Sequence, residues 1–249
     1  MSGHSKWSTI KHKKAAADAK RGKIFTRLAK EITIAAREGG GDPDMNVRLR
    51  LAVDKAKAAN MPKDNIERAI KRGTGELEGG ELDEAVYEAY APHGVGLLVE
   101  IVTDNRNRTV ADIRHVLNKH GGSMAEAGSV AWQFTRKGYI NITGSFDSDE
   151  LFMIAAEAGA DDVLFEDESA EIYTSLDSFQ SVREAVMDAG LEVEEASVIY
   201  HPNNPLALEP QQTVQIMNLI ELLEDLDDTQ SVYSTLSISE EALAAMEGV

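Results

Sequence analysis

The chain contains no cysteine, which excludes a disulfide framework, a thiol nucleophile and any cysteine-ligated zinc or iron–sulfur site. No stretch approaches about eighteen uninterrupted apolar residues, the length a membrane-spanning helix needs. The opening Met1-Ser2-Gly3-His4-Ser5-Lys6-Trp7 has no apolar signal region, so a cytoplasmic protein with neither signal nor transit peptide is expected. Motifs that carry chemistry are scarce as well. There is no HExxH, and His4, His12, His93, His115, His120 and His201 show no metal-ligand spacing; His115 and His120 are five apart, the wrong step for sharing one helix face. Gly94-Val95-Gly96 begins a strand and lacks the third glycine of a dinucleotide loop. Gly73-Thr74-Gly75 has no following Gly-Lys-Ser/Thr to cradle phosphates, and no Gly-x-Ser-x-Gly elbow exists. The expectation is a non-enzyme with no catalytic residues, no metal, no cofactor and no small-molecule substrate.

What is present is ordinary in amount and unusual in distribution. Hydrophobic residues make up 43% and charged residues 27% of 249 residues, enough to bury a sizeable core. The net charge of −18 averages two unlike parts. Residues 1–75 hold 18 Lys and Arg against 8 Asp and Glu, a net of +10, whereas residues 76–249 hold 7 against 35, a net of −28. Such asymmetry points to a polyanion-binding arm on an acidic, solubilising body. The alternative is that the basic segment docks on the acidic body of its own chain, and the two can coexist.

The first third reads as helices. Ile24, Phe25, Leu28, Ile32 and Ala35 form one apolar stripe at a 3.6-residue period, with Lys23, Arg27, Lys30 and Arg37 nearly opposite. Gly39-Gly40-Gly41 ends this helix, and Asp42-Pro43 is expected to restart the next as N-cap and first-turn proline, with Met45, Leu49, Ala52, Val53 and Ala56 inward. Asn60-Met61-Pro62 breaks the chain before a short helix with Ile66, Ala69 and Ile70 on one side. Residues 76–81 read as a linker.

Beyond the linker the period changes. Residues 86–90 and 95–102 read as strands around a Pro-His-Gly turn. Thr109 is expected to cap a helix carrying Val110, Ile113, Val116 and Leu117, and a further strand is expected over 129–134. Residues 138–200 then spell strand, helix, strand, strand, helix, strand, the ferredoxin-like split unit. A last helix over 212–226 and a strand over 231–237 need a sheet to join. The expected fold is therefore α+β and multi-domain: a helical N-terminal domain plus two α/β domains, the ferredoxin-like βαββαβ unit inserted in the other. The corresponding boundaries are 1–78, then 79–136 together with 203–249, and 137–202.

Candidate binding residues concentrate at the start. Lys6, Lys11, Lys13, Lys14, Lys20, Arg21, Lys23, Arg27 and Lys30 lie within twenty-five residues that contain only Asp18 as an acid. Lys13, Lys20 and Arg27 are each seven apart and fall on one line if the segment is helical through Gly22. Such a line neutralises phosphates and releases their counterions, although basic helix faces are also common solvated surfaces. Trp7 can stack on an unpaired base or anchor against the helical core. Arg106 and Arg108, in Asp104-Asn105-Arg106-Asn107-Arg108-Thr109, stand beside a helix N-terminus and suit a phosphate; alternatively they pair with nearby acids while Asp104 and Asn105 bond local backbone. The acidic stretch 221–228 reads as an exposed helix end that repels nucleic acid from its side.

Four motifs carry a family resemblance. Gly3-His4-Ser5-Lys6-Trp7 with Ile10-Lys11 and Lys14, Met61-Pro62-Lys63-Asp64-Asn65-Ile66, Asp104-Asn105-Arg106-Asn107-Arg108-Thr109, and Gly128-Ser129-Val130-Ala131-Trp132-Gln133-Phe134 together resemble the signature of the YebC family, over essentially the whole chain. The resemblance implies three domains with the third inserted in the second. It also implies a DNA-binding transcriptional regulator or, after the mitochondrial translational activators of cytochrome c oxidase, a ribosome-associated factor that relieves stalling. It implies no catalytic residues.

The expected partner is nucleic acid, either DNA or ribosomal RNA, with the ribosome as a further candidate and no membrane. A base-reading regulator needs a helix with Asn, Gln and Arg clustered at its start, and the sequence pattern shows none. Lysine dominates the arm, which favours phosphate contact over base reading. A protein–protein adaptor would leave the arm unexplained.

Overall fold

The computed structural model describes residues 17–78, 80–166 and 169–239, with side chains from Gly22 onward. Its architecture is mixed α and β with a helical N-terminal part. The described chain divides into two compact units, one built on Ala131–Val214, the other on the chain up to Val130 with Gln215–Val232.

Three helices open the second of these units: α1 (Ala17–Gly39), α2 (Val47–Ala58) and α3 (Lys63–Gly73). Helix α1 runs without interruption through Gly22. Its apolar face meets the other two in one core of Ile32, Ala35, Ala36, Leu49, Ala52, Val53, Ala56, Met61, Ile66 and Ala69. Gly73 sets how closely α3 approaches α1. A Cβ there would stand 2.7 Å from the Ala36 methyl and against the Thr33 carbonyl, so only glycine allows the crossing.

The turn between α1 and α2 differs from the sequence expectation. Asp42 does not cap α2; its side chain accepts from the Asp44 N–H and its carbonyl closes one isolated turn. The cap is Asn46, whose Oδ1 accepts from the Leu49 N–H while its Nδ2 donates to the carbonyls of Ala35 and Gly40. A buried side chain that satisfies three backbone groups outcompetes an exposed aspartate that can reach one. Met45 is consequently outside the helix and 83% exposed, not inward.

The first sheet follows. Strands β1 (Asp83–Tyr90) and β2 (Gly96–Thr103) form an antiparallel hairpin from Asp83↔Thr103 to Tyr90↔Gly96. Its turn holds His93 at φ 64°. Helix α4 (Arg106–Lys119) packs Thr109, Ile113 and Leu117 inward. The expectation that Thr109 caps α4 is corrected: Asn105 is the cap, its side chain accepting from the Arg108 N–H, and the helix begins at Arg106. A two-residue strand, β3 (Ser123–Met124), pairs with β1. The strand expected over 129–134 is instead a turn and a 3₁₀ segment, Ala131–Gln133, because the Glu88 carboxylate takes the Gly128 and Val130 N–H groups that a strand would offer to a neighbour.

The inserted unit has the expected order: β4 (Phe134–Thr143), α5 (Ser148–Ala158), β5 (Ala160–Phe165), β6 (Ser169–Thr174), α6 (Phe179–Asp188) and β7 (Glu192–Pro202). Its sheet order is β5-β6-β4-β7, with each recorded pairing antiparallel, which is the ferredoxin-like arrangement. Gly138 of β4 lies under Phe179 of α6, where a Cβ would come within 2.5 Å of the ring. The chain then forms β8 (Leu206–Ala207), α7 (Pro210–Glu224), β9 (Thr229–Ser234) and β10 (Leu236–Ser237). Strand β9 lies beside β2, giving the first sheet the order β3-β1-β2-β9. The strand near the end of the described chain thus finds the sheet it needs. Among the described residues, no helix is long and apolar enough to cross a membrane.

Candidate nucleic-acid interface

Of the twelve candidate contact residues, Lys6, Trp7, Lys11, Lys13 and Lys14 lie outside the described residues, and Lys20 and Arg21 are placed on α1 by backbone alone. The remaining five are Lys23, Arg27, Lys30, Arg106 and Arg108. Each holds an acceptor of its own chain.

On α1, Lys23, Arg27 and Lys30 follow one another along the side away from the Ile32–Ala35 face and meet the end of the acidic stretch 221–228. The Lys23 Nζ donates to the Asp225 carbonyl at 2.9 Å, and Arg27 donates to the Glu224 carbonyl at 2.6 Å. Carbonyls 224 and 225 belong to the last turn of α7 and the residue after it, where helix carbonyls lack partners and cations are favoured. Lys23, Arg27 and Thr26 of α1 and Leu226 and Asp227 also line a groove of about 270 Å³.

Lys30 reaches deeper. Its ammonium donates to the carbonyls of Val102 and Asp227, each at 3.1 Å, and to Asp228 Oδ1 at 2.7 Å. The second oxygen of Asp228 accepts from Arg108 at 2.8 Å, Thr109 at 2.7 Å and Thr103 at 3.1 Å. Asp228 is only 6% exposed, and each carboxylate oxygen is therefore satisfied, as burial of a charge demands. Burial pushes the Asp228 carboxyl up, but hydrogen bonds from Arg108, Lys30 and Thr109 and the Lys30 charge outweigh it. The group is held well below the ordinary carboxylate range. Hydrogen bonds to Asp228 and then to Asp104 raise the Arg108 guanidinium above its usual value.

Arg106 pairs with Asp83 at 3.1 Å, and Arg108 makes a second bond to Asp104 at 2.8 Å. At this loop the second of the two sequence readings matches the geometry: Asn105 serves the backbone and both arginines meet acids. The pairs leave Arg106 and Arg108 about half exposed, so neither guanidinium is sealed from a phosphate.

Some exposed cations were missed by the sequence reasoning. Arg68, Lys71 and Arg72 on α3 face solvent opposite Ile66 and Ala69. Their three- and four-residue spacing was the available signal. On α4, Arg114 and Lys119 are exposed as well. Among the described residues no group of three or more His, Asp or Glu side chains converges as metal ligands.

A helical, cation-faced segment together with a sheet and a ferredoxin-like unit inserted in its sequence defines a class of multi-domain α+β proteins. Comparison with known proteins specifies it further. Residues 5–76 match the family model for the TACO1/YebC protein N-terminal domain, and residues 82–236 match that for the TACO1/YebC second and third domain. A probable transcriptional regulatory protein of Trichlorobacter lovleyi is 54% identical over 99% of this chain and 100% of its own length. One of Geobacter sulfurreducens is 55% identical over 98% of both chains. The crystal structure of a conserved hypothetical protein from Aquifex aeolicus superposes with a TM-score of 0.83 at 43% identity, covering 90% of this chain and 93% of that one. The chain belongs to the TACO1/YebC family.

Proposed function

We propose that this protein is a non-enzymatic, nucleic-acid-binding regulator of gene expression that acts on DNA as a transcriptional regulator. The observation that carries the reading is the net +10 of residues 1–75 in a chain of net −18. Its continuous helix α1 sets Lys20, Arg27 and their neighbours in register along one side. The names of the bacterial relatives support regulation of transcription. The contacts would be to phosphates from Lys6, Lys11, Lys13, Lys14, Lys20, Arg21, Lys23 and Arg27, with Trp7 stacking and Arg106 and Arg108 adding charge. Lys30, whose ammonium already serves Val102, Asp227 and Asp228, would reach a phosphate only by giving up those bonds. Three domains would divide the work: 1–78 as the arm, 79–136 with 203–249 as the middle, and 137–202 as the insert.

A second reading, a ribosome-associated translation factor gripping ribosomal RNA, is favoured by one observation. Seven of the nine arm cations up to residue 30 are lysines, which contact phosphates and read few bases. One comparison separates the two. Binding of the full chain to promoter DNA, random DNA and structured RNA is measured over a salt series, and lysate is sedimented on a sucrose gradient. A promoter-over-random ratio above about a thousandfold supports transcription. Ribosomal co-migration that Lys13/Lys20/Arg27→Glu abolishes, with no promoter preference, supports translation. Binding to neither polymer even in dilute buffer overturns both.

A further inference from the structure

We propose that the outward face of α4 is a second nucleic-acid contact, shaped to lie in the major groove of duplex DNA. This rests on the reading that the chain binds nucleic acid, and it assigns a different surface from the basic arm.

Positive charge is concentrated on this helix. Residues 76–249 contain only seven Lys and Arg, and four of them, Arg106, Arg108, Arg114 and Lys119, sit on the 14 residues of α4. Asp112 is the one acid on that helix. A cationic helix in a segment of net −28 is not the average of its surroundings. Solvation alone needs no such clustering.

The arrangement around the helix is more specific than its charge. Thr109, Ile113 and Leu117 face the sheet. At 100° per residue, Asn107, Ala111, His115 and Asn118 occupy the middle of the opposite face, and all four are exposed. Arg114 flanks that row on one side; Arg108 and Lys119 flank it on the other. The ridge therefore carries an asparagine amide near each end with Ala111 and His115 between them, and long cations stand on its two rims, with Asp112 on the Arg108 and Lys119 side. Arg114, His115 and Lys119 take part in no ion pair among the described residues.

A major groove about 12 Å wide admits one α-helix. Fourteen residues span about 21 Å along it. Asparagine amides on the ridge match the paired acceptor and donor of adenine, and the rim cations reach the phosphates of the two walls. The deep, narrow major groove of A-form RNA would exclude the same ridge, so the face fits duplex DNA. Sequence pattern alone hid the feature because it began the helix at Thr109. With Asn105 as the cap, the helix opens Arg106-Asn107-Arg108.

The test uses the full chain, a labelled random-sequence duplex, a duplex enriched from a random pool by the wild type, and a structured RNA. Arg114→Gln/Lys119→Gln is expected to weaken binding to both duplexes about tenfold and to lower the slope of log K against log salt by roughly two. Asn107→Ala/Asn118→Ala is expected to leave that slope unchanged and to reduce the preference for the enriched duplex. All four residues are exposed, and unchanged thermal midpoints would confirm that folding is intact. If the wild type binds duplex and the Arg114/Lys119 variant matches it in affinity and slope, the α4 assignment is overturned while the arm reading stands. Tighter binding to the structured RNA than to either duplex, weakened equally by the α4 variants, would overturn the choice of DNA. If the wild type binds no nucleic acid, both readings fall together.

Discussion

Lys30 and Asp228, 198 residues apart in the chain, lie with ammonium and carboxylate 2.7 Å apart, and each is mostly buried. Their pairing joins helix α1 to the segment that leads into β9. Arg108 and the hydroxyls of Thr103 and Thr109 complete the shell around the same carboxylate. The acidic stretch 221–228 is thus not simply an exposed helix end, since Asp228 is buried. Its backbone and one of its aspartates hold the cationic row of α1.

Removing that carboxylate strands the cations it serves. Asp228→Ala is expected to lower unfolding free energy by about 3 kcal/mol, the lower end for breaking a buried pair, because Lys30 keeps two carbonyl partners. Chemical denaturation read by circular dichroism measures it. A change within experimental error would mean that the shell contributes nothing to stability.

The same group predicts a pH dependence. Its folded-state pKa is depressed below the unfolded value of about 4, so its contribution is complete above that value. It is lost as acid carries the pH down through the folded-state pKa. Thermal midpoints of wild type and Asp228→Asn should therefore differ most near neutrality and converge well below pH 4. A gap that stays constant down to strongly acid solution would contradict the sign of the shift.

Two glycines of the helical part should respond oppositely to alanine. Gly22 on α1 is helical with open space around its Cα, so Gly22→Ala should stabilise by up to about 1 kcal/mol. Gly73→Ala drives a methyl into Ala36 and the Thr33 carbonyl and should destabilise by about 2 kcal/mol as α3 is forced off α1. Midpoints from a paired denaturation series give both signs at once.

Asn46 combines a cap with two donations. Asn46→Ala should cost about 2 kcal/mol or more. Asn46→Asp keeps the bond from Leu49 but leaves the Ala35 carbonyl facing an anion, so it should rescue little. Full recovery by aspartate would show that the cap alone matters.

Much of the fold was legible because local patterns and global packing agree. The ferredoxin-like order over 138–200 was readable because each of its strands and helices announces its own period. The stripe through Phe25, Leu28, Ile32 and Ala35 identified the buried side of α1 correctly, although Ile24 at its exposed end remains 38% accessible. Two helix starts and the strand expected over 129–134 were the failures. At Asn46 and Asn105 a side chain won the capping position through contacts or turn geometry that a linear pattern does not display, and Asp42 and Thr109 looked equally qualified. The candidate contact residues were legible as a cationic run, whereas Arg114 and Lys119 were obscured by the acidic average around them.

The amino-acid order by itself determined that the first third is basic, that its described residues are helical up to Gly73, that residues 138–200 carry a βαββαβ order, and that cysteine chemistry has no part here. These follow from composition and periodicity, which depend only on near neighbours along the chain. Tertiary structure alone decided that Asp228 would gather Lys30, Arg108, Thr103 and Thr109, and that β9 would return to β2. Pairings across more than a hundred residues depend on which surfaces close over one another, and a buried carboxylate selects its partners only once water has been removed from around it.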